Sequence, residues 1–205
     1  MNLKAIIEVF NAVREYILPY EKIRNKINPI NNVDDLKKFI KERSSLVTQT
    51  TLYGYLKTRM GLKYTMMFTD DIFLDSVNKS KWRIYSEAVG DLTLFTCSYL
   101  FNTNKFNKEI IQNIYNDILE SERVNNLPKN ILEESKNKFE ERIKLVNVPN
   151  YFQIEPFKNS GEALYHWAPV ADELKVLDKE IVLNSIKNKW SLVEKEFINL
   201  SKNFN

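Results

Sequence analysis

An all-α fold, one bundle-like domain of about seven or eight helices spanning 1–205, is what this sequence predicts, and three observations predict it. Long stretches repeat their apolar residues at spacings of three and four, the signature of a helix turning every ~3.6 residues. Only four glycines and six prolines occur in 205 residues, few for the glycine-bearing turns of most β folds. Hydrophobic residues make up 43% and aromatic residues 12%, enough to fill one sizeable core, placed at 33–124.

The first expected helix covers 3–18, with Ile6, Ile7, Phe10, Val13, Ile17 and Leu18 on its apolar side. Pro19 ends it, because proline lacks an amide hydrogen and restricts the residue before it. A membrane-surface helix has the same form, so peripheral membrane contact is the alternative. The polar face carries Glu8, Arg14 and Glu15 rather than a basic run, and core packing is the expectation. After a polar break at Asn28, Pro29, Asn31 and Asn32, the residues Val33, Leu36, Phe39 and Ile40 mark a helix with Asp34 and Asp35 near its positive end.

Two segments then form an expected central pair. Leu46, Gln49, Tyr53, Leu56 and Met60 share one face of 46–60, and Ile84, Ala88, Asp91, Leu92, Phe95 and Tyr99 share one face of 82–101. Gly61 turns the chain between them, and 62–68 is a short helical link. Thr69 and Asp70 give an N-cap signal for Ile72, Phe73, Leu74 and Val77. Beyond Asn102, Thr103 and Asn104, a helix over 106–124 keeps Ile110, Ile111, Ile114, Tyr115 and Ile118 in register. A strongly charged helix over 132–146 reads as a solvated outer element.

Between 147 and 161 the periodicity fails at Pro149, Pro156 and Gly161, so an irregular loop is expected. Tyr151, Phe152, Ile154 and Phe157 must still be covered, by the chain's own core or by a partner, which makes Tyr151, Phe152 and Phe157 the candidate interface. The last helix, 178–203, places Val182, Ile186, Trp190, Val193, Phe197 and Leu200 on one stripe. It is long enough to clamp the bundle or to meet another chain.

Gln49 and Asp91 are polar intruders in apolar stripes. A carboxylate amid VGDLTLFTCSYLF requires a cation, a hydrogen-bond donor or a raised pKa. Arg59 is the expected partner of Asp91, because its planar fork matches a carboxylate. Gln49, Arg59 and Asp91 are thus the candidate structural polar core, with an exposed Asp91 as the alternative.

Thirty basic and 27 acidic residues leave a net charge of +3, which gives a mixed surface and no support for nucleic-acid binding. No stretch approaches ~18 uninterrupted apolar residues, so no transmembrane segment is expected. Cys97, the single cysteine, fits a reducing compartment, and with no secretory signal pattern a cytoplasmic location is expected.

No complete catalytic, cofactor-binding or metal-ligating set stands out. Asp71 and Asp75 lie four apart on one helical face, as in helical magnesium-dependent prenyl-transferring enzymes, but Asn116, Asp117 and Glu120 do not supply the second acidic motif. His166 is the single histidine, so any Ser-His or Cys-His pair, with Ser160 or Cys97, must use it. There is no Gly-x-Ser-x-Gly elbow and no phosphate-cradling glycine loop. The runs LVTQTTLYGYLKTRMG and KWRIYSEAVGDLTLF, with the acidic turn between them, resemble a family of uncharacterised alphaproteobacterial proteins, some labelled esterase. The resemblance covers less than a third of the chain and implies no residue roles.

The expectation is therefore a non-enzymatic helical subunit, without a cofactor, that binds a protein partner or forms a homo-oligomer. The alternative is an enzyme, either an esterase-like hydrolase using His166 or a metal-dependent enzyme using Asp71 and Asp75.

Overall fold

The computed structural model describes residues 29–101 and 106–204. Among them are seven α-helices, three short 3-10 turns and no strand, an all-α bundle. The helix expected over 3–18 lies outside the described residues.

Helix α1, Val33–Met60, is continuous, so the helix expected after the Asn31–Asn32 break and the first central segment are one element. The Asn32 side chain caps it by accepting from the Asp35 amide at 2.9 Å. It ends at Gly61, whose φ of 55° suits glycine. A 3-10 turn and the short α2, Tyr64–Met67, lead to α3, Asp71–Tyr99. Asp70 caps α3 by accepting from the amides of Ile72 and Phe73. Helix α3 also merges two expected pieces.

The centre of the bundle is α3, packed against α1, α4 (Lys108–Ser121), α5 (Lys129–Leu145), α6 (Lys158–Trp167) and the 3-10 segment Val148–Gln153. Every residue from 88 to 98 is buried. This enclosed stretch buries polar residues as well, Asp91, Thr93, Thr96 and Ser98. The final helix, α7, Asp172–Leu200, lies against α1 and α6. It starts six residues before the expected 178.

Ion pairs give the helix directions. Lys37 meets Asp117, and Lys41 donates to Ser121, four residues on in both helices, so α1 and α4 run parallel. Arg43 meets Glu196 and Arg59 meets Asp178, so α1 and α7 run antiparallel. On α3 and α5, Arg83 pairs with Glu134, Glu87 with Lys138 and Asp91 with Arg142, three rungs each 51 residues apart in sequence. That ladder runs from the surface into the core. Glu134 is more than half exposed, while Asp91 is completely buried.

The stretch 147–161, expected as an irregular loop, is instead the Val148–Gln153 turn followed by the first residues of α6. Its aromatic rings face inward. Phe157 stacks on Trp190 with centroids 4.4 Å apart, Phe152 meets the edge of Tyr99, and the Tyr151 hydroxyl donates to the Pro156 carbonyl at 2.9 Å. Tyr151, Phe152 and Phe157 are therefore partly buried against this chain's own core, the first of the two covers expected for them.

Candidate functional site

The expected pairing of Asp91 with Arg59 is not what the structure shows. Asp91 projects from the side of α3 that faces α5 and α6, where Arg142 donates to its Oδ1. Arg59 stands near the other end of the bundle, at the close of α1, and binds Asp178 of α7. The Arg142 guanidinium also donates to the Tyr151 hydroxyl. Gln49 is half-buried rather than enclosed, and its amide donates to Ser45 Oγ at 3.1 Å.

Asp91 has a second task. The backbone N–H groups of the first turn of a helix have no partner within the helix and carry its positive end. Helix α6 is preceded at its cap position by Phe157, which has no side-chain acceptor to offer. Asp91 reaches across from α3 and accepts the Ser160 amide at 2.7 Å and the Asn159 side-chain amide at 3.3 Å. It caps α6 from 69 residues away in sequence. Complete burial pushes the Asp91 carboxyl up, and Arg142 together with the Ser160 amide opposes that rise. For Arg142 burial acts to lower the pKa, but Asp91 and Tyr151 outweigh it and the guanidinium is held charged.

From this cap the polar contacts continue to α7. The Ser160 hydroxyl, fully buried, donates to the Phe157 carbonyl and accepts the indole N–H of Trp190 at 2.9 Å. Farther along α7, Asp178 is held by Arg59 and by the Tyr55 hydroxyl at 2.8 Å. Arg43 holds Glu196 with two bonds of 2.6 and 2.7 Å. Directional bonds at 178, 190 and 196 fix the rotation of α7 about its axis.

That rotation leaves a second apolar face outward. At 100° per residue, Val182, Ile186, Trp190, Val193 and Phe197 form the buried stripe. Leu174, Leu177, Ile181 and Leu192 fall within about 60° of one another on a line roughly 140° away. They are 37%, 75%, 70% and 63% exposed. This outer ridge is the candidate functional site. The sequence reading stopped at the inner stripe and began the helix too late to include Leu174 and Leu177, although the spacing of 174, 177 and 181 carries the signal.

The residues weighed for chemistry are dispersed. His166 is exposed at the end of α6, its ring edge-on to Trp167. The Ser160 hydroxyl is engaged as described. Cys97 is buried, and burial pushes its thiol up to about 12, far from the thiolate a nucleophile needs. Asp71 and Asp75 are exposed, and Asp75 pairs with Lys79 at 2.6 Å. Among the described residues no three His, Cys, Asp or Glu side chains gather where they could hold a metal ion. No helix among those residues is long and apolar enough to cross a membrane.

Comparisons with protein-family models, with curated proteins and with solved structures found no match.

Proposed function

We propose that this chain is an assembly subunit that joins a second copy of itself through the outer ridge of α7. One observation carries the reading: α7 has two apolar stripes, and among the described residues the chain covers one of them. Leaving a leucine or isoleucine in water rather than burying it costs about 1.5–3 kcal/mol, so a line of such residues on a rigidly held helix favours a cover.

The ridge is complementary to itself. With two α7 helices antiparallel and the two-fold axis beside Leu177, Leu174 meets Ile181 of the second copy and the two Leu177 side chains lie near each other across the axis. Each aliphatic group opposes another, as an isologous interface requires. The buried Cys97, with no second cysteine in the sequence, supports a cytoplasmic place for that assembly.

Cysteine cross-linking tests the register. In Leu177→Cys, mild oxidation is expected to give a disulfide-linked dimer, because residues beside the axis come within disulfide reach. Asn188→Cys, exposed on the same line but far from the axis, is expected to remain monomeric on a denaturing gel. A Leu177→Cys chain that stays uncrosslinked, or that links no faster than Asn188→Cys, overturns the proposal.

A further inference from the structure

At Gly161 helix α6 comes close against α7: a Cβ added there would lie 3.3 Å from Leu183 and 3.5 Å from Ile186. Beside that contact a groove of about 480 Å³ lies between the start of α6 and the second half of α7, a size suited to a small molecule. On α7 its lining residues Leu183, Lys187 and Glu194 fall within about 40° of one another, roughly 140° around the helix from the outer ridge. The groove is therefore a different surface from the proposed dimer contact. Phe157 and Leu183, both half-buried, give it an apolar wall that a ligand can touch. The Phe157 ring is held in place by its stack on Trp190.

Three carboxylates and two ammonium groups line the groove, and burial separates one of them from the rest. Glu155, Lys158, Glu162 and Lys187 are exposed, where water and salt screen their charge. Lys158 also stands 3.8 Å from Glu162. Glu194 is half-buried and has neither a hydrogen bond nor an ion pair among the described residues. Burial raises the pKa of its carboxyl, and the charge of Lys195, next in the chain, opposes that rise only in part. A carboxylate that has given up water without gaining a donor is left short of partners. The one charge that the groove partly encloses is thus negative, and so is the balance of its lining.

We propose that this groove binds a small primary amine with an apolar body, whose ammonium donates to the Glu194 carboxylate while the body lies against Phe157 and Leu183. A hydrogen bond between two ionised groups is roughly twice as strong as a neutral one, and an ammonium close to the Phe157 ring gains a cation–π attraction as well. An anion with the same body would face the Glu194 charge, and a neutral alcohol would forgo the ion pair. The groove therefore discriminates by charge among molecules of one shape.

The test uses the full chain labelled with ¹⁵N and three probes that share a body and differ in charge: phenethylamine, phenethyl alcohol and hydrocinnamate, at constant ionic strength. The indole N–H signal of Trp190, one ring beyond Phe157, is expected to shift saturably with phenethylamine at about pH 7, where the amine is charged. Trp82, outside the groove, does not move. The alcohol and the carboxylate are each expected to bind at least about tenfold more weakly. Glu194→Gln keeps the side-chain shape and is expected to weaken the amine by about tenfold, whereas Glu155→Gln, exposed at the rim, leaves it within about twofold. The assignment is overturned by a shift that fails to saturate with the amine, by equal binding of the alcohol, or by an undiminished response in Glu194→Gln. An equal loss in Glu155→Gln also overturns it, because the amine would then be answering the general field of the surface.

Discussion

At the scale of the residue, one buried pair stands apart from the other charges. Exposed ion pairs such as Asp75–Lys79 contribute about 0–1 kcal/mol. The pair of Asp91 and Arg142 is enclosed, and removing one member of such a pair typically costs about 3–5 kcal/mol. Arg142→Met is therefore expected to be strongly destabilising at neutral pH by chemical denaturation. The pH dependence has a definite sign. Loss of Arg142 removes the largest force that opposes the burial-driven rise of the Asp91 pKa. A carboxyl with a raised folded pKa contributes its full stability below its unfolded value, 3.8 for Asp91, and loses it as pH rises through the folded value. The deficit of Arg142→Met relative to the native chain is thus expected to shrink towards pH 4. A deficit that does not change between pH 4 and 7 would contradict the pairing.

At the scale of the element, α3 and α5 are brought together by their ladder and by a single glycine. A Cβ added at Gly90 meets Phe139 at 3.2 Å and the Arg142 guanidinium at 3.4 Å. Phe139 cannot easily retreat, since it is stacked on Tyr115 at a centroid distance of 3.9 Å. Alanine gains about 1 kcal/mol of helix propensity over glycine, whereas overpacking costs about 1–3 kcal/mol. Gly90→Ala is expected to lower the thermal midpoint; a raised midpoint would show that the contact yields. Elements whose signals are local were legible in the sequence: the periodicity of α1, α3 and α4, the Asp70 cap and the Gly61 turn. Helix α6 was not, because its capping carboxylate comes from Asp91 rather than from its own flank and because Pro156 and Gly161 interrupt the pattern. The partner of Asp91 was missed for a related reason. Arg142 sits in a helix whose overall charge suggested solvent on every side, and the register that turns it inward shows only when 83, 87 and 91 are aligned with 134, 138 and 142.

At the scale of the whole molecule, the polar core and the candidate interface belong to one construction. Asp91 starts α6, Ser160 of α6 takes the Trp190 indole, and Arg59 and Arg43 hold the two ends of α7. These contacts present Leu174, Leu177 and Ile181 as a line on a helix about 43 Å long. The sequence pointed to a final helix long enough to clamp the bundle or to meet another chain, but which of its apolar residues face outward depends on bonds to α1 and α6 that lie far away in sequence.

Sedimentation equilibrium of the full chain at about 50 μM, alongside Leu177→Glu/Ile181→Glu, tests this most directly. The native chain is expected at twice its 24.3 kDa mass and the double variant, still helical, at the monomer mass. A native chain that sediments as a monomer, or a variant that remains a dimer, would contradict it.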